Sequence, residues 1–282
     1  HVSPMSAYMC YLCLRSVHDS GVRVCKLFRR CAACLLSSTP LFFSTYKEFM
    51  SHPITIFRLG TPCPETCARL GGYEDWIAQN LSTASRCIDI LGGESPPAHA
   101  DCRAVILTGS AHMVDERLPW SEALRPWLQE AVARELPLLG ICYGHQLLAD
   151  ALGGTVGNNP HGVEIGNITL RRLPACDDDP LFAPLPATFS ANATHVQSVL
   201  RLPPGATALV ANDHDPHHAY RIGKYAWGVQ FHPEFGQEGM RDSIAQKREH
   251  LADADALIAA VPAANPHATA LLQRFVQLAL NR

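Results

Sequence analysis

The sequence predicts a doubly wound α/β domain, a mostly parallel sheet with helices on both faces. Two observations carry this. Apolar runs without polar alternation recur at Ile54 ("ITIFRLG"), over 102–110 ("CRAVILTGS") and over 137–141 ("PLLGI"), as expected of parallel strands buried on both faces. Between them lie stretches of helical period, above all "WSEALRPWLQEAVARE" over 120–135, whose Leu124, Leu128 and Val132 share one face. Such alternation is βαβ logic, and it places active residues at the carboxyl ends of strands.

The elements run in order from residue 50. Strand 54–60 leads into a helix over 64–81, where Pro64 and Glu65 suit a first turn. "RCIDIL" is the second strand, and 102–110 the third, closing in Gly-Ser. Helix 120–135 and strand 137–141 follow, then helix 144–153, which stops at Gly153-Gly154. Past residue 155 short strands and turns run to "YAWGVQFHPEF", and helical segments over 237–260 and 267–280 complete the pattern.

Composition bounds the function. With 282 residues, 47% hydrophobic, 17% charged and a net charge of −3, the chain reads as a globular protein with ample core. The charge balance argues against nucleic acid as a partner. No apolar run reaches the ~18 residues of a membrane span. Eleven scattered cysteines do not form a disulfide framework, so a reducing, cytoplasmic setting is expected.

Residues 1–49 read differently from 50–282, which form the expected catalytic domain. The first stretch holds five of the eleven cysteines, five Arg/Lys before Leu41 and no clear period. It reads as a disordered or non-native extension, with a targeting segment as one alternative. Cys10-x2-Cys13 and Cys31-x2-Cys34 match zinc-ribbon spacing, but no apolar strands frame them. No metal or cofactor is expected. His214, Asp215, His217 and His218 in "NDHDPHH" crowd one Pro-containing turn and read as an exposed loop, and "PACDDDP" as a solvated acidic turn. Cys63, Cys67, Cys87, Cys102 and Cys176 read as packing residues.

"LLGICYGHQLLAD" (138–150) sets Cys142 between Gly140 and Gly144 where a strand becomes a helix. Such an elbow strains its central residue and projects the side chain above the sheet. Small neighbours let the backbones approach, and the helix N-terminus favours thiolate. Alone, the motif fits a buried cysteine equally well. "GVQFHPEF" supplies what a thiol nucleophile needs. His232 and Glu234 lie on one side of an extended chain, a base and its orienting carboxylate. The turn after "ILTGS" brings main-chain N–H groups near a substrate, and with the N–H of Tyr143 makes a candidate oxyanion hole.

"GICYGHQ", "FHPE" and the "TGS" turn, in this order and spacing, resemble class I glutamine amidotransferases, especially stand-alone GMP-synthase-like domains, over about residues 53 to 245. The resemblance implies a flavodoxin-like fold. It implies Cys142 as nucleophile, His232 as base and then acid, and Glu234 as orienter. Ser110 and Tyr143 would hold the oxyanion through their N–H groups, with Gly109 shaping the turn. Gly144 and Gln146 would line the glutamine pocket. "ATHVQSV" resembles the segment that contacts the substrate's α-amino and carboxylate groups, making His195 and Val196 candidates. Where the family often has proline after the oxyanion turn, this chain has Ala111.

The activity implied is release of ammonia from the glutamine side-chain amide through a γ-glutamyl thioester. Only 48 residues follow Glu234, and no Gly-rich phosphate loop of the SGGxDS or GxxxxGKS type occurs. The expectation is that ammonia passes to a separate synthetase partner. One alternative is a γ-glutamyl peptidase using the same triad; another, of a different class, is a non-catalytic binding scaffold.

Overall fold

The structure, a computed structural model, describes residues 54–282. The paired cysteines Cys10, Cys13, Cys31 and Cys34 lie outside the described residues. The chain opens with strand β1 (Ile54–Phe57), helices α1 (Pro64–Leu70) and α2 (Tyr73–Gln79), and strands β2 (Ser85–Ile88) and β3 (Ala104–Leu107). Helix α3 (Pro119–Ala133) leads through β4 (Leu138–Ile141) into α4 (Tyr143–Ala151). Six strands then form a largely antiparallel half: β5 (Thr155–Asn158), β6 (Glu164–Arg172), β7 (Thr188–His195), β8 (Gln197–Arg201), β9 (Thr207–Ala211) and β10 (Ala219–Ile222). Strand β11 (Ala226–Val229) and helices α5 (Gln237–Gln246), α6 (Ala254–Ala260) and α7 (Pro266–Leu280) follow.

Nine strands form one sheet in the order β2-β1-β3-β4-β11-β10-β9-β6-β7, and β5 pairs with β8 apart from it. From β2 to β11 every pairing is parallel; from β11 onward every pairing is antiparallel. The α/β fold with a mostly parallel centre is as the apolar runs predict. The period-two alternation of β3 sends Ala104 and Ile106 into one core with Leu272, Phe275 and Val276 of α7. Val105 and Leu107 enter the other core, with Leu124 and Leu128 of α3 and Leu147 and Leu148 of α4. Helices therefore cover both faces. No helix among the described residues is long and apolar enough to cross a membrane.

Two expected helices are broken. The stretch 64–81 divides at Gly71-Gly72, where Gly71 adopts φ 81°, and Asp75 reaches back to accept a hydrogen bond from the Gly72 N–H at 2.8 Å. The stretch 237–260 also divides, because Asp253 caps α6 by accepting from Ala256 N at 2.9 Å. Two turns read as exposed are partly buried. In "NDHDPHH", Asp215 and His218 are fully buried, since the Asn212 side chain takes the N–H groups of His214 and Asp215 and folds the turn inward. In "PACDDDP", Asp179 is buried and accepts from the N–H groups of Leu181 and Phe182 and from the Trp227 indole. Of the cysteines read as packing residues, Cys102 and Cys176 are buried; Cys87, on the edge strand β2, is exposed.

Candidate active site

Three neighbouring parallel strands converge on one point. β4 lies between β3 and β11, so the turn after β3, the elbow after β4 and the segment after β11 meet at their carboxyl ends. Cys142 extends the β4–β11 ladder by one bond, donating its N–H to Val229 O at 2.8 Å. It then turns sharply, with φ 50° and ψ −102°, in the left-handed half of conformational space where a side chain costs roughly 1–3 kcal/mol. The glycines around it explain why the elbow closes. A Cβ on Gly140 would stand 2.5 Å from Gly144 O, and one on Gly144 would stand 2.5 Å from Leu107 Cβ. The sulfur is directed to the site, 3.8 Å from Thr194 O.

His232 is clamped from two sides. His232 donates its N–H to Asn192 O at 2.8 Å, and the Asn192 side chain donates to Phe235 O at 3.0 Å, which fastens the His-Pro-Glu-Phe segment to β7. The ring donates from Nδ1 to Glu234 Oε1 at 2.8 Å, and both side chains are buried. Nε2 is also buried, free of other partners, and left for the sulfur. Burial alone lowers the imidazole, but the charges of Glu234 and Cys142 outweigh it and hold His232 up at about 10. Gly109 separates the partners: a Cβ there would lie 3.0 Å from His232 Cε1 and 3.7 Å from Cys142 Cβ. The turn is braced by Thr108, whose hydroxyl donates to Gly109 O at 3.0 Å and accepts from Leu59 N at 2.9 Å. Tyr143 opens α4, so its N–H belongs to the first turn, which has no partner within the helix.

A cavity of about 320 Å³ lies over the sulfur. Ser110, Ala111, Gln146, His195, Val196 and His232 line it together with Cys142. Gln146 commits its amide hydrogens to Gln197 O (2.7 Å) and Gln230 Oε1 (2.9 Å), which leaves its carbonyl oxygen for a ligand. Gly144 is packed against β3 and is not part of the cavity wall. His195 faces the wall but is tied behind it, with Nδ1 on Gln197 O at 3.0 Å and Nε2 on Glu164 Oε2 at 2.9 Å.

Behind that wall sits a cluster that residue pattern did not reveal. Glu164 also meets His218 Nε2 at 2.9 Å and accepts from Asn212 at 2.6 Å. Ligand atoms of Glu164, His195 and His218 lie within 4.8 Å of one another, and the carboxylate already serves both imidazoles. Burial pushes the Glu164 carboxyl up, but hydrogen bonds from His195 and His218 hold it well below the usual range. Also missed were Tyr73, Trp76 and Lys247 on the cavity wall, and two buried polar atoms without partners, Thr194 Oγ1 and Gln197 Nε2. The segment "ATHVQSV" was the one signal that pointed at the last two.

Residues 72–249 match the family model "Glutamine amidotransferase class-I". The chain is 38% identical over 136 residues to a glutamine-hydrolyzing GMP synthase of Thermomicrobium roseum, covering 48% of this chain and 24% of that protein. It is 32% identical over 169 residues to a subunit of the glutamine-hydrolyzing GMP synthase of Methanocaldococcus jannaschii, covering 58% and 84% of the two chains. The chain thus spans most of the archaeal relative but only about a quarter of the longer synthase. Among solved structures, a glutamine amidotransferase of Thermotoga maritima superposes with a TM-score of 0.66 at 22% identity, covering 82% of this chain and 100% of that one. The matched residues include Cys142, His232 and Glu234 and cover more than half of the sequence: the chain belongs to the class I glutamine amidotransferase family.

Proposed function

We propose that the chain hydrolyses the side-chain amide of glutamine, or of a γ-glutamyl relative, through a γ-glutamyl thioester on Cys142. The observation that carries this reading is the elbow at φ 50° beside a His232–Glu234 pair held at 2.8 Å. His232 acts as base and takes the proton of the Cys142 thiol. The sulfur attacks Cδ, the amide oxygen gathers negative charge, and the N–H groups of Ser110 and Tyr143 receive it. Collapse breaks the C–N bond, and His232 gives its proton to the departing nitrogen. The neutral imidazole then takes a proton from water, whose oxygen displaces the sulfur from Cδ and frees glutamate.

Ammonia so released passes to a separate synthetase partner; the relatives that are themselves single subunits of a GMP synthase favour this arrangement. The γ-glutamyl peptidase reading uses the same steps with an amine in place of ammonia, and the size of the cavity favours keeping it. The test is labelling with a glutamine-directed alkylating analogue, read by adduct mass, alongside ammonia release. Label is expected on Cys142, and Cys142→Ala should abolish both signals with the fold intact. Cys102→Ala should keep most activity, because that thiol is buried beside Thr55 in the β1–β3 region, away from the elbow. Equal loss in the two variants would remove Cys142 as nucleophile.

A further inference from the structure

The cavity over Cys142 is lined by residues of α1, α2 and α5 as well as by those around the sulfur. At about 320 Å³ it reaches the ~300–1,000 Å³ range that holds drug-sized ligands, more than a single five-carbon amino acid fills. Part of its wall is made by Thr66 of α1, Tyr73 and Trp76 of α2, and Ser243, Gln246 and Lys247 at the end of α5. The aromatic part is rigid. Trp76 packs edge-on against Phe235 with ring centroids 5.1 Å apart, and Tyr73 stacks on Phe235 at 5.7 Å. Gly239 of α5 is kept small by it, since a Cβ there would lie 3.0 Å from the Trp76 ring.

Lys247 is the cationic group on this part of the wall, and it has no counter-charge among the described residues. Its amine donates to Ser243 Oγ at 3.4 Å and makes no ion pair among the described residues. The nearby acids are otherwise engaged: Glu238 and Asp242 pair with Arg69, and Asp255 pairs with Arg248. Burial holds the amine below the ordinary lysine range, and the opposing influence is the charge of Cys142 across the same cavity. A half-buried amine facing a ligand space, with its neighbours' carboxylates used elsewhere, suits an anion supplied by the ligand.

We propose that this part of the cavity is the leaving-group subsite and that Lys247 holds a carboxylate on the departing amine, so that γ-glutamyl amino acids and short γ-glutamyl peptides are substrates beside glutamine. The proposal rests on the thioester reading above. The Cys142 sulfur bonds to Cδ, the Cδ–N bond breaks, and His232 protonates the nitrogen of the leaving amino acid. Water then supplies the oxygen for glutamate and returns a proton to His232. Substrate and water become glutamate and a free amino acid, with no oxidant or further reactant. Ammonia, the leaving group of glutamine, offers nothing for this wall to hold. An amino acid offers a side chain to the aromatic face and a carboxylate to Lys247.

The test compares kcat/KM for γ-glutamylglycine and γ-glutamylglycinamide, which differ in the terminal charge alone. The full chain should prefer the acid by at least ~10-fold, as a charge-assisted contact implies. Lys247→Met should bring that ratio close to one, and Lys247→Arg should retain part of it. Calorimetric binding of the same pair to Cys142→Ala reads the ratio in Kd without turnover. Equal constants for acid and amide, or a preference that survives Lys247→Met, overturns the subsite even where Cys142 is labelled and the amides are hydrolysed. Absence of both labelling and hydrolysis overturns the thioester reading instead, and the calorimetric ratio still decides the subsite.

Discussion

Replacing Gly140 with alanine tests whether the elbow's geometry, rather than the mere presence of its thiol, sets activity. The new methyl would lie 2.5 Å from Gly144 O, 2.6 Å from Gly144 C and 2.7 Å from His145 N. These are main-chain atoms of the first turn of α4, so no side-chain rotation relieves them. To reach an ordinary contact of 3.4 Å the turn must retreat by about 0.9 Å. Gly144 cannot yield freely, because it is packed so closely on β3 that a Cβ built on it would stand 2.5 Å from Leu107 Cβ. Overpacking of this kind costs about 1–3 kcal/mol, and each kcal/mol lowers Tm by about 2–4 °C in a domain of this size. The retreating turn also carries the Tyr143 N–H, and a ~1 Å misplacement of a positioning group costs about 10²-fold in rate. Gly140→Ala should therefore stay folded, melt a few degrees lower and lose about 10²-fold in kcat for glutamine hydrolysis. Gly236→Ala is the control: a Cβ there meets nothing within 4 Å, and an alanine at that N-cap costs about 0.5–1 kcal/mol relative to glycine. Calorimetry and a coupled ammonia assay read both variants. Wild-type kcat in Gly140→Ala would refute the argument, as would a loss of rate matched by Gly236→Ala.

Other outcomes follow from the same contacts. His232→Ala should lose about 10²–10⁴-fold in kcat, and Glu234→Gln less, since the imidazole remains; the reverse order would give the carboxylate a direct role in proton transfer. His232 is held at about 10 against an ordinary 6.5, so its stabilising contribution is complete below pH 6.5 and fades as pH rises towards 10. The Tm gap between wild type and Glu234→Gln should accordingly be widest near pH 6 and narrow towards pH 10, and a gap that widens with pH would contradict the pairing. Glu164 has a lowered carboxyl, so its contribution is present above about pH 4.5 and is lost on acidification. Glu164→Gln, which leaves His195 and His218 without their anion, should cost about 3–5 kcal/mol at neutral pH, measured by denaturant unfolding, with the difference shrinking in acid. A chain beginning at Met50 should fold and hydrolyse the same substrates as the longer chain, because the first strand among the described residues starts at Ile54; unfolding of that shorter chain, or stoichiometric zinc in the longer one, would assign the paired cysteines a structural role.

The amino-acid sequence by itself determined the buried parallel strands, the glycine-flanked thiol and the His232–Glu234 pair. Each of these is local: a run of apolar residues, two missing Cβ atoms around Cys142, or a two-residue spacing on an extended strand. Helix breaks were less legible. Gly71-Gly72 interrupts a good apolar period, and the decision to start a new helix there depends on Asp75 reaching back to Gly72 and on Trp76 finding the Leu70 carbonyl. Tertiary structure alone decided which strands are neighbours. β11 follows β4 by more than eighty residues and yet pairs with it in parallel, and that pairing brings His232 to Cys142. It also decided which charges are buried. Asp215 and His218 look like surface residues in sequence because a polar group's burial depends on its partners, and Glu164 is distant along the chain. The part of the cavity wall made by α1, α2 and α5 has the same origin. Lys247 and Trp76 carry no motif, and they share a site only because α5 packs beside α1 and α2 over the ends of the strands.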